Sequence, residues 1–183
     1  MIETERLILR RWRGADRAAY AAVMADPEVG YWLGGTMNSA ECEAHIARLE
    51  DHFERLGYGR FAIERKADGA FLGLAGLVAA HAAYENTPVA GGVEIGWRLA
   101  RGDWGSGYAT EAARAALDDG FARLHLAEVL AFTTPANLRS RAVMDRLGLH
   151  RDEARDFDHP ALAGDHPLSR HVVYAISRPK PTI

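Results

Sequence analysis

Apolar and polar positions along the chain fall into two periods. Near the N-terminus Leu7 and Leu9 alternate with Arg6, Ile8 and Arg10, which predicts a strand within residues 2–12. Asp16 then stands where a helix over 17–25 could be capped, and Pro27 would end that helix. A second helix opens at Asn38 or Ser39, with Glu41 three residues after Asn38 as in a capping box. Its apolar stripe is Cys42, Ile46, Leu49, Phe53 and Leu56, and Gly57 is its stop. Residues 59–65 and 70–80 read as two strands joined through a turn at Asp68-Gly69, and 81–92 as a loop. Val93, Ile95, Trp97 and Leu99 next alternate with Glu94, Gly96 and Arg98 in a strand with one apolar face. A glycine-rich loop, 102–107, leads into a helix over 108–124 lined by Ala109, Ala112, Ala113, Ala116 and Leu117. The β-rich run 128–134 completes a βαβ unit. Asn137 caps a further helix carrying Val143, Met144 and Leu147, closed by Gly148. Late strands near 149–157 and 171–177 flank a loop of His, Asp and Pro. The order predicts a mixed α/β fold.

Composition narrows the class. With 183 residues the chain is expected to form one domain, 1–183, large enough to fold without a metal or disulfide staple. One cysteine, Cys42, excludes an intrachain disulfide and suits a reducing compartment. The longest mostly apolar run, 70–80, is short of the ~20 residues of a membrane span. The charged start Met-Ile-Glu-Thr-Glu-Arg lacks the apolar core of a secretion signal. A net charge of −3 argues against a generic nucleic-acid binder. A cytoplasmic protein, monomeric or homodimeric, is the expectation.

The glycine-rich loop is where chemistry first shows. Gly105 and Gly107 stand between a strand and a helix, where backbone N–H groups lack helical partners and the helix dipole is positive. Glycines let a phosphate approach those donors. A tight turn without a ligand is the plainer alternative. A phosphate-binding Gly-x4-Gly-Lys-Ser/Thr loop is absent. A dinucleotide fingerprint fails as well: Thr110 stands where its third glycine belongs, and Glu128 begins the next strand instead of an acidic residue ending it.

Four segments together resemble the GNAT acetyltransferases, and within them the ribosomal-protein N-terminal acetyltransferases. These are Thr4-Glu5-Arg6-Leu7-Ile8-Leu9-Arg10, Glu94-Ile95-Gly96-Trp97, Trp104-Gly105-Ser106-Gly107-Tyr108-Ala109-Thr110-Glu111-Ala112, and the run from Asn137 through Ser140 and Leu147 to Gly148-Leu149. The resemblance implies a strongly twisted mixed sheet of six to seven strands, flanked by helices on both faces and splayed at its centre. It implies acetyl-CoA as donor, its pantetheine arm pairing along Trp97, Arg98 and Leu99. Its pyrophosphate would rest on the backbone of Trp104, Gly105, Ser106, Gly107, Tyr108 and Ala109, with Asn137 and Ser140 bordering the arm. Two departures stand out. Gly102 replaces a Gln or Arg frequent in the family, and Met144 replaces a tyrosine that serves as acid in many members.

Acetyl transfer to an amine needs a neutral amine, a polarised thioester carbonyl and a proton for the departing thiolate. By resemblance Glu94 is the candidate base, acting through water; its structural alternative is an ion pair with Arg98 or Arg60. Ser140 is the candidate thiolate partner, against an exposed helix serine, and Asn137 can be a helix cap, a CoA contact or both. Cys42 reads as a small core residue. Asp158 and His159 lie in a loop that borders the acceptor site in the family. The Asp-His-Pro repeats there match no established metal spacing, so no metal is expected. Two rival functions remain at this level: a non-catalytic CoA-binding regulator of the same fold, and a metal-dependent hydrolase built on the Asp-His loop.

Overall fold

A computed structural model describes residues 1–80 and 84–179. Its elements are β1 (Ile2–Glu3), β2 (Leu7–Arg10), α1 (Asp16–Ala25), α2 (Pro27–Tyr31), α3 (Ser39–Leu56), β3 (Arg60–Arg65), β4 (Phe71–Ala79), β5 (Val93–Leu99), α4 (Tyr108–Ala122), β6 (Glu128–Thr133), α5 (Leu138–Leu147), β7 (His150–Arg151), β8 (Phe157–Asp158) and β9 (Arg170–Ser177). The strands run in the order β1-β2-β3-β4-β5-β6-β9-β7, with β8 paired to β9, giving a mixed, open sheet. Six of these strands have four or more residues; β1, β7 and β8 are two-residue additions to the expected set.

The chain divides into two compact units, Met1–Val78 with Gly96–Ala116, and Ala79–Ile95 with Leu117–Ile183. In the first unit, β1 to β4 form an antiparallel run, Ile2 facing Leu9, Leu9 facing Ile63, and Ala62 facing Leu74. The expected single strand over 2–12 is therefore two. The chain reverses at Thr4, whose N–H donates to the Leu7 carbonyl and whose hydroxyl accepts from the Leu7 N–H. Over this sheet α1 and α3 bury Trp12, Tyr20, Met24, Cys42, Ile46 and Leu49 against Ala62 and Leu74. The Asn38–Glu41 capping box forms, and Gly57 ends α3 in the left-handed region. Leu56 departs from the expected stripe and is exposed.

Asp16 does not cap α1. It lies in the first turn, buried, and takes a two-point contact from the Arg10 guanidinium at 2.8 Å on each oxygen, together with the Arg13 N–H. Pro27 starts α2 as well as ending α1, because its missing N–H costs nothing in a first turn and Asp26 caps the new helix. Gly73 in β4 has φ 142°, and a Cβ there would fall 2.1 Å from the Arg98 carbonyl oxygen. Only glycine allows the β5 backbone this close.

In the second unit, β5 and β6 pair in parallel at Glu94↔Leu130, and β6 pairs with β9 antiparallel from Glu128↔Ser177 to Thr133↔Val172. Val89, Leu130, Phe157 and Val173 form its core. The expected strand near 149–157 is instead the short β7 and β8, separated by a 3-10 turn at Glu153–Arg155. Ion pairs hold that turn: Arg155 bridges Asp152 and Glu128, and Arg151 grips Asp156. Part of the expected 81–92 loop lies outside the described residues; from Tyr84 onward it consists of turns.

Candidate active site

The loop before α4 is built as an anion cradle would be. A 3-10 turn, Arg101–Asp103, follows β5, and the Trp104 indole N–H donates to the Leu99 carbonyl at 3.0 Å, folding the loop back on its strand. Gly105 and Gly107 have φ of 78° and 82°. Both glycines stand just before α4, whose first N–H groups have no intrahelical acceptor. A Cβ at Gly105 would meet open space.

Arg6 anchors this junction from 105 residues away in sequence. Its guanidinium donates to the Ser106 carbonyl at 3.0 Å, lies 4.6 Å from the centre of the Tyr108 ring, and pairs with Glu111 at 2.7 Å. Glu111 also accepts the Arg6 backbone N–H at 2.9 Å and the Thr4 hydroxyl at 2.6 Å. Burial works against the Glu111 carboxylate, but the bonds from Thr4 and Arg6 outweigh it and hold its pKa below the ordinary glutamate value. This accounts for three residues of the N-terminal and loop motifs that had no assigned task. Gly102 supplies no side-chain contact here, and the charge of the nearby Arg6 is paired with Glu111.

At the start of α5, Asn137 caps with its side-chain oxygen, which accepts the Ser140 N–H at 3.2 Å. Its amide nitrogen donates to the Thr133 hydroxyl at 3.1 Å, so both polar atoms of this buried residue have internal tasks. Ser140 sits one turn into the helix, half-buried. Just after β6, Thr134 has its hydroxyl oxygen buried without a hydrogen-bond partner, a feature no sequence pattern marks.

Register places Glu94. Residues paired directly across a sheet share a face, so Glu94 lies on the face of Leu130 and, by alternation, of Phe132. Phe132 pairs with Val173 and Phe157 with His171, which puts His171 and Phe157 on that face too. There Tyr84, Phe132, Phe157, His159 and His171 pack ring to ring, Phe157 stacked on His171 at 5.3 Å. The His159 Nδ1 accepts the Ala161 N–H, so its Nε2–H faces the Tyr84 oxygen at 3.2 Å. Burial lowers the pKa of both histidines, keeping them neutral at physiological pH. Asp158 occupies the alternate position, is exposed, and faces Arg170 at 3.5 Å. Of the two acceptor-side candidates, only His159 joins the cluster on the Glu94 face.

Arg98 is tied into the first unit. Its polar contacts are the Tyr20 hydroxyl at 2.7 Å and the Met24 sulfur at 3.2 Å. Cys42 is buried, and burial raises its thiol pKa, which suits a core residue and not a nucleophile. Among the described residues no group of three or more His, Cys, Asp or Glu is placed to hold a metal ion, and no helix is long and apolar enough to cross a membrane.

YkkB of Bacillus subtilis (strain 168), an uncharacterized protein, is 32% identical over 148 residues, 80% of this chain and 83% of its own. The uncharacterized N-acetyltransferase p20 of Bacillus licheniformis is 30% identical over 158 residues, 85% of each chain. An acetyltransferase from Agrobacterium tumefaciens strain C58 superposes with a TM-score of 0.76 at 28% identity, over 96% of this chain and 92% of that one. RimL, a ribosomal L7/L12 alpha-N-protein acetyltransferase solved in complex with coenzyme A, shares the fold at a TM-score of 0.75 and 16% identity, over 95% of each chain. The acetyltransferase (GNAT) domain model matches residues 6–150, and the chain belongs to the GNAT acetyltransferase family.

Proposed function

We propose that this GNAT acetyltransferase moves an acetyl group from acetyl-CoA to a primary amine by direct attack in a ternary complex. The observation that carries the reading is the junction at 104–109, where Gly105 and Gly107 take left-handed backbone angles at a helix N-terminus. The residues fit a pyrophosphate: the approach at Gly105 is open, and Arg6 reinforces the loop from behind through Ser106. The thioester supplies the acetyl group, and the rest falls to the chain. Trp97, Arg98 and Leu99 offer backbone to the pantetheine arm, and Asn137 sets the start of α5 so that the Ser140 hydroxyl can donate to the departing sulfur. Glu94 takes a proton from the attacking amine through water. Holding amine and thioester together in one site supplies much of the rate, so no covalent intermediate is required.

The likeness to RimL supports a protein or peptide α-amine as one acceptor class, and it does so at the level of fold alone. Glu94→Gln tests the mechanism. We expect kcat to fall roughly 100-fold or more near neutral pH, in line with losing a general base, with the KM for acetyl-CoA unchanged. Unchanged turnover at every pH would remove Glu94 from the mechanism and favour a CoA-binding regulator. An acceptor screen that reads CoA release across amine classes identifies the substrate.

A further inference from the structure

In the second unit, His171 has one ring nitrogen in use and one open. Its Nδ1 lies 3.1 Å from the Ser169 carbonyl oxygen. A carbonyl only accepts, so Nδ1 carries the proton and Nε2 holds the lone pair. Burial lowers the pKa of the ring and favours this neutral form. Phe157 stacks on the ring at 5.3 Å, with His159 at 5.2 Å and Phe132 at 6.1 Å around it, so the ring plane is fixed. Among the described residues nothing donates to Nε2. The hydroxyls of Thr134 and Ser169 are sealed from solvent without a partner; Nε2 is not among such sealed atoms, and His171 is only half-buried. The neighbouring His159 holds the opposite tautomer. Both of its nitrogens are occupied, Nδ1 by the Ala161 N–H and Nε2 by the Tyr84 oxygen.

Register sets the span from this lone pair to Glu94, which belongs to the same unit. Glu94 stands opposite Leu130, Leu130 opposite Ala175, and His171 lies four positions along β9 from Ala175 on the same face. Two inter-strand steps of about 4.8 Å and four rises of about 3.4 Å separate the two residues by roughly 17 Å. A water between Glu94 and the amine, together with a hydrogen bond into Nε2, takes up about half of that at roughly 2.8 Å per bond. About 8 Å remains between the acceptor's nitrogen and a donor of its own. Beside His171 this face carries Phe157, Phe132 and Val173, all uncharged, while Asp158 and Arg170 face one another from the alternate positions. A second cation is costly to desolvate there, whereas a neutral O–H or N–H gains a hydrogen bond that apolar surroundings strengthen.

We propose that His171 is a specificity-determining residue whose Nε2 accepts a hydrogen bond from the acceptor, so that the acetylated amine belongs to a compact molecule with a neutral hydroxyl or N–H donor at the end away from its nitrogen. A primary amine carried on a phenol through a two-carbon link has this form. The inference rests on the acetyltransferase reading above and narrows its acceptor. The Ser169 carbonyl and Phe157 position the ring, one by fixing the tautomer and the other by fixing the plane.

The full-length wild-type protein is assayed for CoA release with tyramine, phenethylamine, 4-methoxyphenethylamine and 1,5-diaminopentane. These end respectively in a neutral donor, no polar group, an acceptor alone and a cation. We expect kcat/KM for tyramine to exceed each of the others at least tenfold, because a site built to pair a hydroxyl discriminates against analogues that lack one. In His171→Phe, which keeps a ring against Phe157 and removes the lone pair, the ratio of tyramine to phenethylamine collapses toward one, through the KM for tyramine. In His171→Gln, whose amide oxygen can accept, part of that ratio returns. A role confined to packing predicts lower melting temperatures in both variants and an unchanged ratio. Tyramine used no better than phenethylamine or diaminopentane would overturn the proposal, as would a tyramine preference that survives His171→Phe, or turnover of peptide or polyamine controls with tyramine left untouched. CoA release from none of these amines and from no control would instead overturn the acetyl-transfer reading beneath it.

Discussion

Removing the Glu111 carboxylate tests whether the cradle is held from a distance. Glu111 takes the Thr4 hydroxyl at 2.6 Å, the Arg6 N–H at 2.9 Å and the Arg6 guanidinium at 2.7 Å. Hydrogen bonds to a charged group contribute about 1.5–3 kcal/mol each when buried. The Arg6 side chain is 43% exposed, so its ion pair with Glu111 is discounted to about 0.5–1 kcal/mol. The two remaining bonds are only partly shielded and share one oxygen, which brings the total for Glu111→Ala to about 2–3 kcal/mol. For a chain of this size each kcal/mol moves the midpoint by about 2–4 °C, so thermal unfolding should shift down by roughly 4–12 °C. The functional effect is separate. With Arg6 released from Glu111, the 104–109 backbone loses its tether through Ser106, and the KM for acetyl-CoA should rise about tenfold, which is ~1.4 kcal/mol. A double-mutant cycle with Arg6→Ala should show coupling above about 0.5 kcal/mol in both readouts. If Glu111→Ala changes neither the midpoint by more than a degree nor the acetyl-CoA KM by more than twofold, the reasoning fails.

The other predictions concern the cofactor, the core and pH. Acetyl-CoA at about 100 times its dissociation constant should stabilise the wild type by ~2.7 kcal/mol, and Gly107→Asp should abolish the thermal shift by placing a carboxylate in the cradle. Asp16→Asn should cost about 3 kcal/mol in chemical denaturation, because it strips the buried Arg10 of its two-point partner and leaves Glu64 as its remaining carboxylate. Asp16 and Glu111 both have depressed pKa values in the fold, burial being outweighed by hydrogen bonds from Arg10 and Arg13 and from Thr4 and Arg6 respectively. Their contribution is therefore present above their unfolded values of 3.8 and 4.5 and is lost as pH falls below them, so acid titration should destabilise the wild type more steeply than either carboxylate variant. Elemental analysis of protein purified without a histidine tag should find no stoichiometric metal; one equivalent would revive the hydrolase reading.

Local chemistry made much of this molecule legible in its sequence. The α3 boundaries follow from Asn38, Glu41 and Gly57, and α5 from Asn137 and Gly148, because capping bonds span three or four residues and need no tertiary partner. The alternation in β5 and the glycines before α4 were equally readable, since a strand's period and a left-handed turn are properties of the local backbone. The same local reasoning misassigned Asp16 as a cap, because a buried guanidinium from β2 competes for its carboxylate and wins. It also joined β1 to β2 across Thr4 and treated 149–157 as one strand, where side chains such as Arg151 and Arg155 divert the chain.

What only the tertiary structure decided is who meets whom. Arg6 reaches Glu111 across 105 positions, and Arg98 reaches Tyr20 across 78. No period or spacing encodes such pairs, because they arise when strands and helices distant in sequence pack, and each side chain then takes the partner that packing leaves within reach. The sequence alone determined the family likeness, most of the longer elements and the place of the glycines before α4. The tether from Arg6 to Ser106 and Glu111 belongs to the fold.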